Sequence, residues 1–123
     1  RFDAVILCYS PRIWCSDDTD PIHRLNIQFG TSYGYPVSTM GAHVSASPNH
    51  QTGRSTPIST RAVVAMSGTF GYELDVTRIP QEDRDMIPQQ IEEFNKYNTL
   101  VRTGDHYRIG NHNGKCRHMG GAL

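Results

Sequence analysis

Residues 12–24 read Arg-Ile-Trp-Cys-Ser-Asp-Asp-Thr-Asp-Pro-Ile-His-Arg. The apolar run at positions 13–15 is typical of the end of a short buried strand. Asp20 followed by Pro21 is a strong helix start, because aspartate accepts hydrogen bonds from unpaired amides and proline gives up no bonded N–H there. The stretch therefore predicts a strand, a connection carrying the aspartates at 17 and 18, and a helix. Asp20 is interpreted as the cap of that helix rather than as a catalyst.

The helix that follows carries an apolar stripe. Ile22, Leu25 and Phe29 recur at helical spacing, which predicts that this face packs against the rest of the protein. Gly30 readily adopts the left-handed conformation that ends many helices. We therefore predict a helix over residues 21–29, with this stripe as its buried face.

The rest of the chain alternates between strand and helix patterns. The segment 5–9 fits either a strand or a short buried helix, since periodicity alone does not separate the two. Residues 70–76 alternate strictly between apolar and other residues, as a strand does. The remaining predictions are a strand within 33–49, a surface loop over 49–57, a helix capped by Ser59 or Thr60 that runs to Met66, and a helix after Pro80 that Pro88 should kink or delay. This order predicts a parallel α/β architecture, either a barrel or an open sheet.

Composition excludes several classes of function. Twelve basic and twelve acidic residues give a formal net charge of zero, which provides no electrostatic argument for a nucleic-acid or anionic-membrane partner. The longest apolar runs, 4–8 and 62–66, are too short to cross a bilayer. Three cysteines without metal-type pairing favour a reducing compartment or a fragment over a disulfide scaffold, and we expect a cytoplasmic location.

Four blocks of the chain occur together in one family. They are Arg-Phe-Asp at 1–3, Ile-Trp-Cys-Ser-Asp-Asp-Thr-Asp at 13–20, Met-Gly-Ala-His-Val-Ser-Ala-Ser-Pro-Asn-His-Gln at 40–51 and Gly-Thr-Phe-Gly-Tyr-Glu-Leu-Asp at 68–75. In this order and approximate spacing, over about residues 1–108, the chain closely resembles the α-galactosidases of glycoside hydrolase family 36.

The resemblance implies a fold and an activity. The fold would be the C-terminal portion of a (β/α)8 TIM barrel, and the activity retaining hydrolysis of terminal α-linked galactose in substrates such as melibiose and raffinose. The family's general acid/base maps onto Asp17. We expect no cofactor and no metal, an α-galactoside as substrate, and a homo-oligomer for the full-length enzyme, since family members often form tetramers.

The resemblance also implies a fragment. The family's nucleophile lies in a Lys-Trp-Asp type motif that this sequence does not contain, and its sugar-binding loop ends immediately before Arg-Phe-Asp. We therefore expect residues 1–106 to form the last strand-helix units of the barrel. Residues 107–123 would begin a C-terminal β domain or form an unrelated tail. The chain alone is expected to be inactive.

Other conspicuous side chains have structural interpretations. Asp18 is interpreted as a solvated or supporting residue, and Trp14 as core or pocket wall rather than a sugar-stacking platform. His43 and His50 are interpreted as structural hydrogen-bonding histidines. Phe70 and Tyr72 are expected to pack, and Arg24 to hold the helix entrance together with Asp20 through charge-assisted hydrogen bonds.

Two alternatives belong to other functional classes. The chain could be an inactive carbohydrate-binding or structural fragment. Its tail could instead bind a transition metal through His106, His112, Cys116 and His118, since imidazole and thiolate groups are suitable ligands. Their spacing lacks any Cys-x-x-Cys pairing, which favours an ordinary polar tail.

Overall fold

The computed structural model describes residues 4–109 and the backbone of residues 118–122. Its α-helices are α1 (Pro21–Thr31), α2 (Ile58–Met66) and α3 (Gln81–Thr103). Its strands are β1 (Val44–Ser45), β2 (Tyr72–Glu73), β3 (Asp105–Ile109) and β4 (His118–Ala122). Short 3-10 helices cover Ala4–Cys8 and Val37–Thr39.

Three extended segments lie side by side in chain order and run parallel, and we call them the parallel array. Ile13 bridges to Met40, Gly41 bridges to Thr69, and β1 pairs with β2 in the register Val44 to Tyr72. Helix α1 connects the first segment to the second, and α2 connects the second to the third. The predicted parallel alternation of strand and helix is therefore confirmed.

The hydrophobic core lies between the parallel array and α2. It contains Ala42 and Val44 from the array and Ile58, Ala62 and Ala65 from α2, each no more than 2% exposed. Partly buried apolar side chains from the third segment and α3 pack against it: Phe70, Tyr72, Leu74, Met86 and Ile87. The packing role predicted for the alternating residues of 70–76 is thus confirmed for Phe70 and Tyr72. The strand itself is only two residues long, because the chain turns at Asp75.

The predicted buried stripe of α1 is confirmed at Phe29 and wrong at Ile22 and Leu25. Ile22 and Leu25 are 40% and 43% exposed, whereas Arg24 and Gln28 are buried beside Phe29. Both polar side chains can be buried because each finds backbone carbonyls: Arg24 donates to the Gly41 oxygen and Gln28 to the Val64 oxygen. The helix also continues through Gly30 to Thr31, and no positive φ occurs at Gly30.

One helix start differs from prediction and another agrees with it. Helix α2 begins at Ile58 after Pro57 without a side-chain cap, because the buried Ile58 anchors its first turn and the Pro57 carbonyl accepts from the amide of Arg61. Helix α3 begins at Gln81, directly after Pro80 as predicted, so Pro88 does not delay its start, and the alternative of a kink stays a prediction. Although α3 has 23 residues, no helix among the described residues is long and apolar enough to cross a membrane.

The two ends of the described chain have simpler arrangements. Residues 4–8 form neither a strand nor a buried helix: they are a 3-10 helix whose Val5 and Ile6 are more than half exposed. At the other end, β3 and β4 form an antiparallel pair in which Asp105 lies opposite Ala122. The proposed division between residues 106 and 107 stays a prediction.

Candidate active site

Asp17 lies beyond the first extended segment, at the carboxyl end of the parallel array, and its side chain is exposed. The indole Nε1–H of Trp14 donates a hydrogen bond of 3.0 Å to Asp17 Oδ1. The side-chain amide of Gln51 donates another, also of 3.0 Å, to the Asp17 backbone oxygen. The main chain of Asp17 is therefore fixed by a distant loop, and its carboxylate by a neighbouring ring.

The Trp14 indole lies beside Asp17, and its interpretation as core or pocket wall rather than a sugar-stacking platform stays a prediction. Its indole lies directly over Gly41, where an added Cβ would come within 2.9 Å of Trp14 Cε3. The His43 ring lies 4.9 Å from the indole, centroid to centroid, and the Arg24 guanidinium carbon lies 5.5 Å from the indole centroid. The absence of a side chain at Gly41 is what allows the indole to lie against the backbone.

His43 bridges two charged side chains on the same face of the parallel array. Its Nε2 meets the Arg12 guanidinium, and its Nδ1 lies 3.3 Å from Glu73 Oε2. Because a guanidinium can only donate, Nε2 must accept, so Nδ1 carries the proton and donates to Glu73. Sequence reasoning anticipated a hydrogen-bonding histidine but missed Arg12 and Glu73. The strand alternation that puts Phe70 and Tyr72 on one face already placed Glu73 on the other.

Asp20 is the N-cap of α1, as predicted, and it is fully buried at 0% exposure. One oxygen accepts from the amides of Ile22 and His23 and from Arg54, and the other accepts from the Thr52 hydroxyl. Burial alone would raise the pKa of Asp20. The hydrogen bonds from Thr52 and the two amides, with the charge of Arg54, together hold that pKa below its ordinary value.

Arg24 and Asp20 both make charge-assisted hydrogen bonds at the start of α1, as predicted, but their side chains do not bind each other. The Arg24 guanidinium instead donates to the backbone oxygens of Ser16 and Gly41 and to Gln28, and the cation beside Asp20 is Arg54, at 2.6 Å. Burial lowers the pKa of the Arg24 guanidinium, against the opposing effects of Cys15 and Asp18. Arg24 therefore ties α1 to the parallel array rather than to its own cap.

Asp18 is occupied by local structure. One of its oxygens accepts from the Asp20 amide at 3.0 Å, and the other pairs with His23 Nδ1 at 2.7 Å. Burial acts to raise the pKa of Asp18, but the hydrogen bond from His23 and the Asp20 amide outweigh it, so the pKa is lowered. Asp18 thus has the supporting contacts that were predicted for it.

The loop after β1 locks the connection that carries the three aspartates. Gln51 binds both the amide of Thr19 and the backbone oxygen of Asp17, while Thr52 and Arg54 reach Asp20. Gly53 has a φ of 69°, a conformation that favours glycine, at the tip of this turn. The sequence identified 49–57 as a surface loop without revealing these contacts. Their only signal was that Gln51 ends one of the four matching blocks.

A cavity of about 370 Å³ lies away from Asp17, between the start of the parallel array and α3. Its lining includes Arg12, Thr69, Phe94 and Arg102, and no carboxylate. It therefore offers none of the groups that the acid/base chemistry expected for this chain would need.

The proposed metal ligands fall largely outside the described residues. His112 and Cys116 are not described, and only the backbone of His118 is. His106 is described: burial and then the charge of Arg108 lower its pKa, and its Nε2 is buried without a hydrogen-bond partner. Within the described part of the chain, no three His, Cys, Asp or Glu side chains are grouped as metal ligands would be. The metal hypothesis stays untested.

Comparison with known proteins identifies the family. The Melibiase family profile matches residues 1–104. The chain is 58% identical over 109 residues to the bifunctional alpha-galactosidase/sucrose kinase AgaSK of Mediterraneibacter gnavus, and 51% identical over 109 residues to the alpha-galactosidase AgaA of Geobacillus stearothermophilus. Each alignment covers 89% of this chain, but only 12% of AgaSK and 15% of AgaA.

Solved structures agree with the sequence matches. The galactosidase domain of AgaSK superposes with a TM-score of 0.88 at 55% identity, over 94% of this chain and 16% of that one. A variant of the GH36 alpha-galactosidase AgaA, solved with raffinose, superposes with a TM-score of 0.83 at 48% identity, over 89% of this chain and 15% of AgaA. The chain therefore belongs to the Melibiase family, the α-galactosidases of glycoside hydrolase family 36.

Proposed function

We propose that this chain supplies the general acid/base segment of a retaining α-galactosidase, within a (β/α)8 barrel. The substrate class is terminal α-linked galactose, as in raffinose and melibiose. The relatives support this proposal: AgaSK and AgaA are both named α-galactosidases, and AgaA has been solved in complex with raffinose. The parallel array supports it too, since the loops at the carboxyl ends of barrel strands form the active site in this fold.

The observation that carries the proposal is the contrast among the three aspartates. Asp20 is buried and accepts four hydrogen bonds, and both oxygens of Asp18 are engaged by its neighbours. Asp17 is exposed and accepts from Trp14 at a single oxygen. Of the three, it is the carboxyl group that can meet a substrate and change its protonation without breaking the local structure.

The mechanism assigns Asp17 two successive proton transfers. In retaining hydrolysis, a carboxyl group about 5 Å from the nucleophile first protonates the leaving glycosidic oxygen and then removes a proton from the attacking water. The second carboxylate would attack the anomeric carbon. It is assigned to a segment outside this sequence, which contains no Lys-Trp-Asp motif. On this proposal the 123-residue chain alone turns over no aryl α-galactoside at rates typical of glycosidases.

The test is an active chimaera in which residues 1–104 replace the aligned segment of AgaA. Asp17→Ala should lower kcat/KM for raffinose by about 10²- to 10⁴-fold, the usual contribution of general acid catalysis. Glycosylation by an aryl galactoside with an activated leaving group should suffer much less, because that group departs without protonation. Azide should restore turnover of the activated substrate by replacing the base-assisted water.

Asp75→Asn is the matched control, since Asp75 is an exposed carboxylate whose contacts are with its near neighbours Thr77 and Arg78. It should leave kcat/KM unchanged for both raffinose and the activated aryl galactoside. Equal losses for raffinose and for the activated substrate in Asp17→Ala, or no loss for either, would contradict the assignment. An active chimaera in which Asp17→Ala changes neither activity would favour the alternative that the chain is a structural or sugar-binding segment.

A further inference from the structure

We propose that Trp14 is the positioning residue for Asp17, and that a scaffold of Gly41, His43 and Arg24 holds its indole in place. This inference rests on the proposed acid/base role of Asp17. Trp14 does not itself touch the reacting atoms. It acts through Asp17, by keeping the exposed carboxylate in one orientation.

The need for positioning follows from the exposure of Asp17. An exposed aspartate side chain can rotate freely unless something fixes it, and the Trp14 Nε1–H donates to its Oδ1 at 3.0 Å. Proton transfer requires the acid within hydrogen-bond reach of the leaving oxygen, and a misplacement of about 1 Å can cost roughly 10²-fold in rate. By holding Oδ1, the indole leaves Oδ2 as the oxygen that faces the leaving group.

The indole can perform this role because it is itself restrained. It lies against Gly41, where even a methyl group would come within 2.9 Å of Cε3. The Arg24 guanidinium carbon lies 5.5 Å from the indole centroid, and Arg24 as a whole residue is only 6% exposed. That guanidinium donates to the Gly41 oxygen at 2.6 Å, so one side chain fixes both the ring and the backbone beneath it.

His43 restrains the ring from the neighbouring segment. Its imidazole lies 4.9 Å from the indole and is held between Arg12 and Glu73. Contacts therefore run without a break from Glu73 through His43 and Trp14 to Asp17. They span all three segments of the parallel array, so the orientation of Asp17 depends on the whole array rather than on its own loop.

The contact itself can be measured in the 123-residue chain, because Trp14 is its single tryptophan. Excitation moves electron density from the five-membered to the six-membered ring, so a negative charge at Nε1 stabilises the excited state. Neutralising that charge with Asp17→Asn should shift the emission to shorter wavelength. Asp75→Asn should leave the emission unchanged. An emission that does not respond to Asp17→Asn would overturn the inference, whatever the enzyme assays show.

The positioning role is measured in the chimaera with AgaA. Trp14→Phe keeps an aromatic ring and removes the N–H donor, and it should lower kcat/KM for raffinose by roughly 10- to 10²-fold. For the activated aryl galactoside kcat/KM should fall much less, because it reports glycosylation, which does not need the acid with that leaving group. If Trp14 had a purely structural role, Trp14→Phe would lower kcat/KM for both substrates alike. That result, or no loss for either substrate, would overturn the inference.

Gly41→Ala gives an independent check if Trp14→Phe fails to fold. Its methyl group displaces the indole while the N–H donor remains, so it should produce the same selective loss with raffinose. In the double variant with Trp14→Phe, the losses of activity should be less than additive, since both substitutions act through one contact. Additive losses would contradict a shared pathway. A selective loss in these variants without any effect of Asp17→Ala would refute the proposed function instead.

Discussion

Asp17 and Asp20 lie three residues apart on one connection, yet their surroundings have little in common. Asp20 is fully buried, and its two oxygens accept from two amides, a hydroxyl and a guanidinium. Asp17 is exposed, and its carboxylate accepts from one indole. A carboxylate surrounded by donors stabilises its charged form and the structure around it. One held by a single donor stays available for a substrate.

The largest effect on stability should come from Asp20→Ala. The sequence alone predicts the cost of a lost N-cap, about 1 kcal/mol. Its contacts with Thr52 and Arg54 add hydrogen bonds to a charged group, worth roughly 1.5 to 3 kcal/mol before discounting the partly exposed Arg54. We expect the unfolding free energy to fall by about 3 kcal/mol, measured by urea titration with Trp14 fluorescence as the probe.

Asp17→Ala is the matched variant for that measurement. It removes one exposed hydrogen bond, so the urea midpoint should stay close to that of the unaltered chain. A larger loss of stability for Asp17→Ala than for Asp20→Ala would reverse the comparison between the two aspartates.

The sequence predicted the Asp20 cap because capping depends on residues that are adjacent in the chain. Asp20 and Pro21 together define the start of α1 without reference to the rest of the fold. The contacts from Thr52 and Arg54 could not be predicted in this way, since they depend on how a loop more than thirty residues away folds back. The cap was predictable, and its strength was not.

The same distinction explains the error at the buried face of α1. Apolar spacing predicted that Ile22 and Leu25 face the core, but Arg24 and Gln28 are buried instead. Their burial depends on the carbonyls of Gly41 and Val64, which belong to other segments. The role of Asp17 came from the family resemblance and stays a prediction, and the scaffold around Trp14 was not visible until three separate segments were brought together.

The next effect concerns acid stability. Because the pKa of Asp20 is lowered in the folded protein, the unfolded chain binds more protons as the pH falls. The stabilisation is complete above the unfolded pKa, about 3.9, and is lost as the pH falls through the lower folded value. Asp20→Asn cannot titrate, so below about pH 4 its unfolding free energy should depend less on pH. If the unfolding free energy of Asp20→Asn depended on pH in the acid range just as that of the unaltered chain does, the lowered pKa of Asp20 would be contradicted.

A smaller loss of stability than that of Asp20→Ala should come from Gln51→Ala, which tests the loop shared by both aspartates. Gln51 accepts from the Thr19 amide and donates to the Asp17 oxygen, both in exposed positions. We expect a loss of about 1 kcal/mol, the usual net value of such bonds, in the same urea titration. His50→Ala is the control, since His50 is the exposed neighbour in the same loop, and it should cost less. Equal losses would mean that Gln51 has no special role.

The most direct test of the different roles of Asp17 and Asp20 compares their alanine variants in one experiment. Asp17→Ala and Asp20→Ala are made in the chimaera with AgaA, and each is assayed for raffinose hydrolysis and for its thermal midpoint. We predict that Asp17→Ala loses about 10²- to 10⁴-fold in activity with an unchanged midpoint, while Asp20→Ala loses stability and keeps its activity where it remains folded. A folded but inactive Asp20→Ala beside an active Asp17→Ala would show that the acid/base has been assigned to the wrong aspartate.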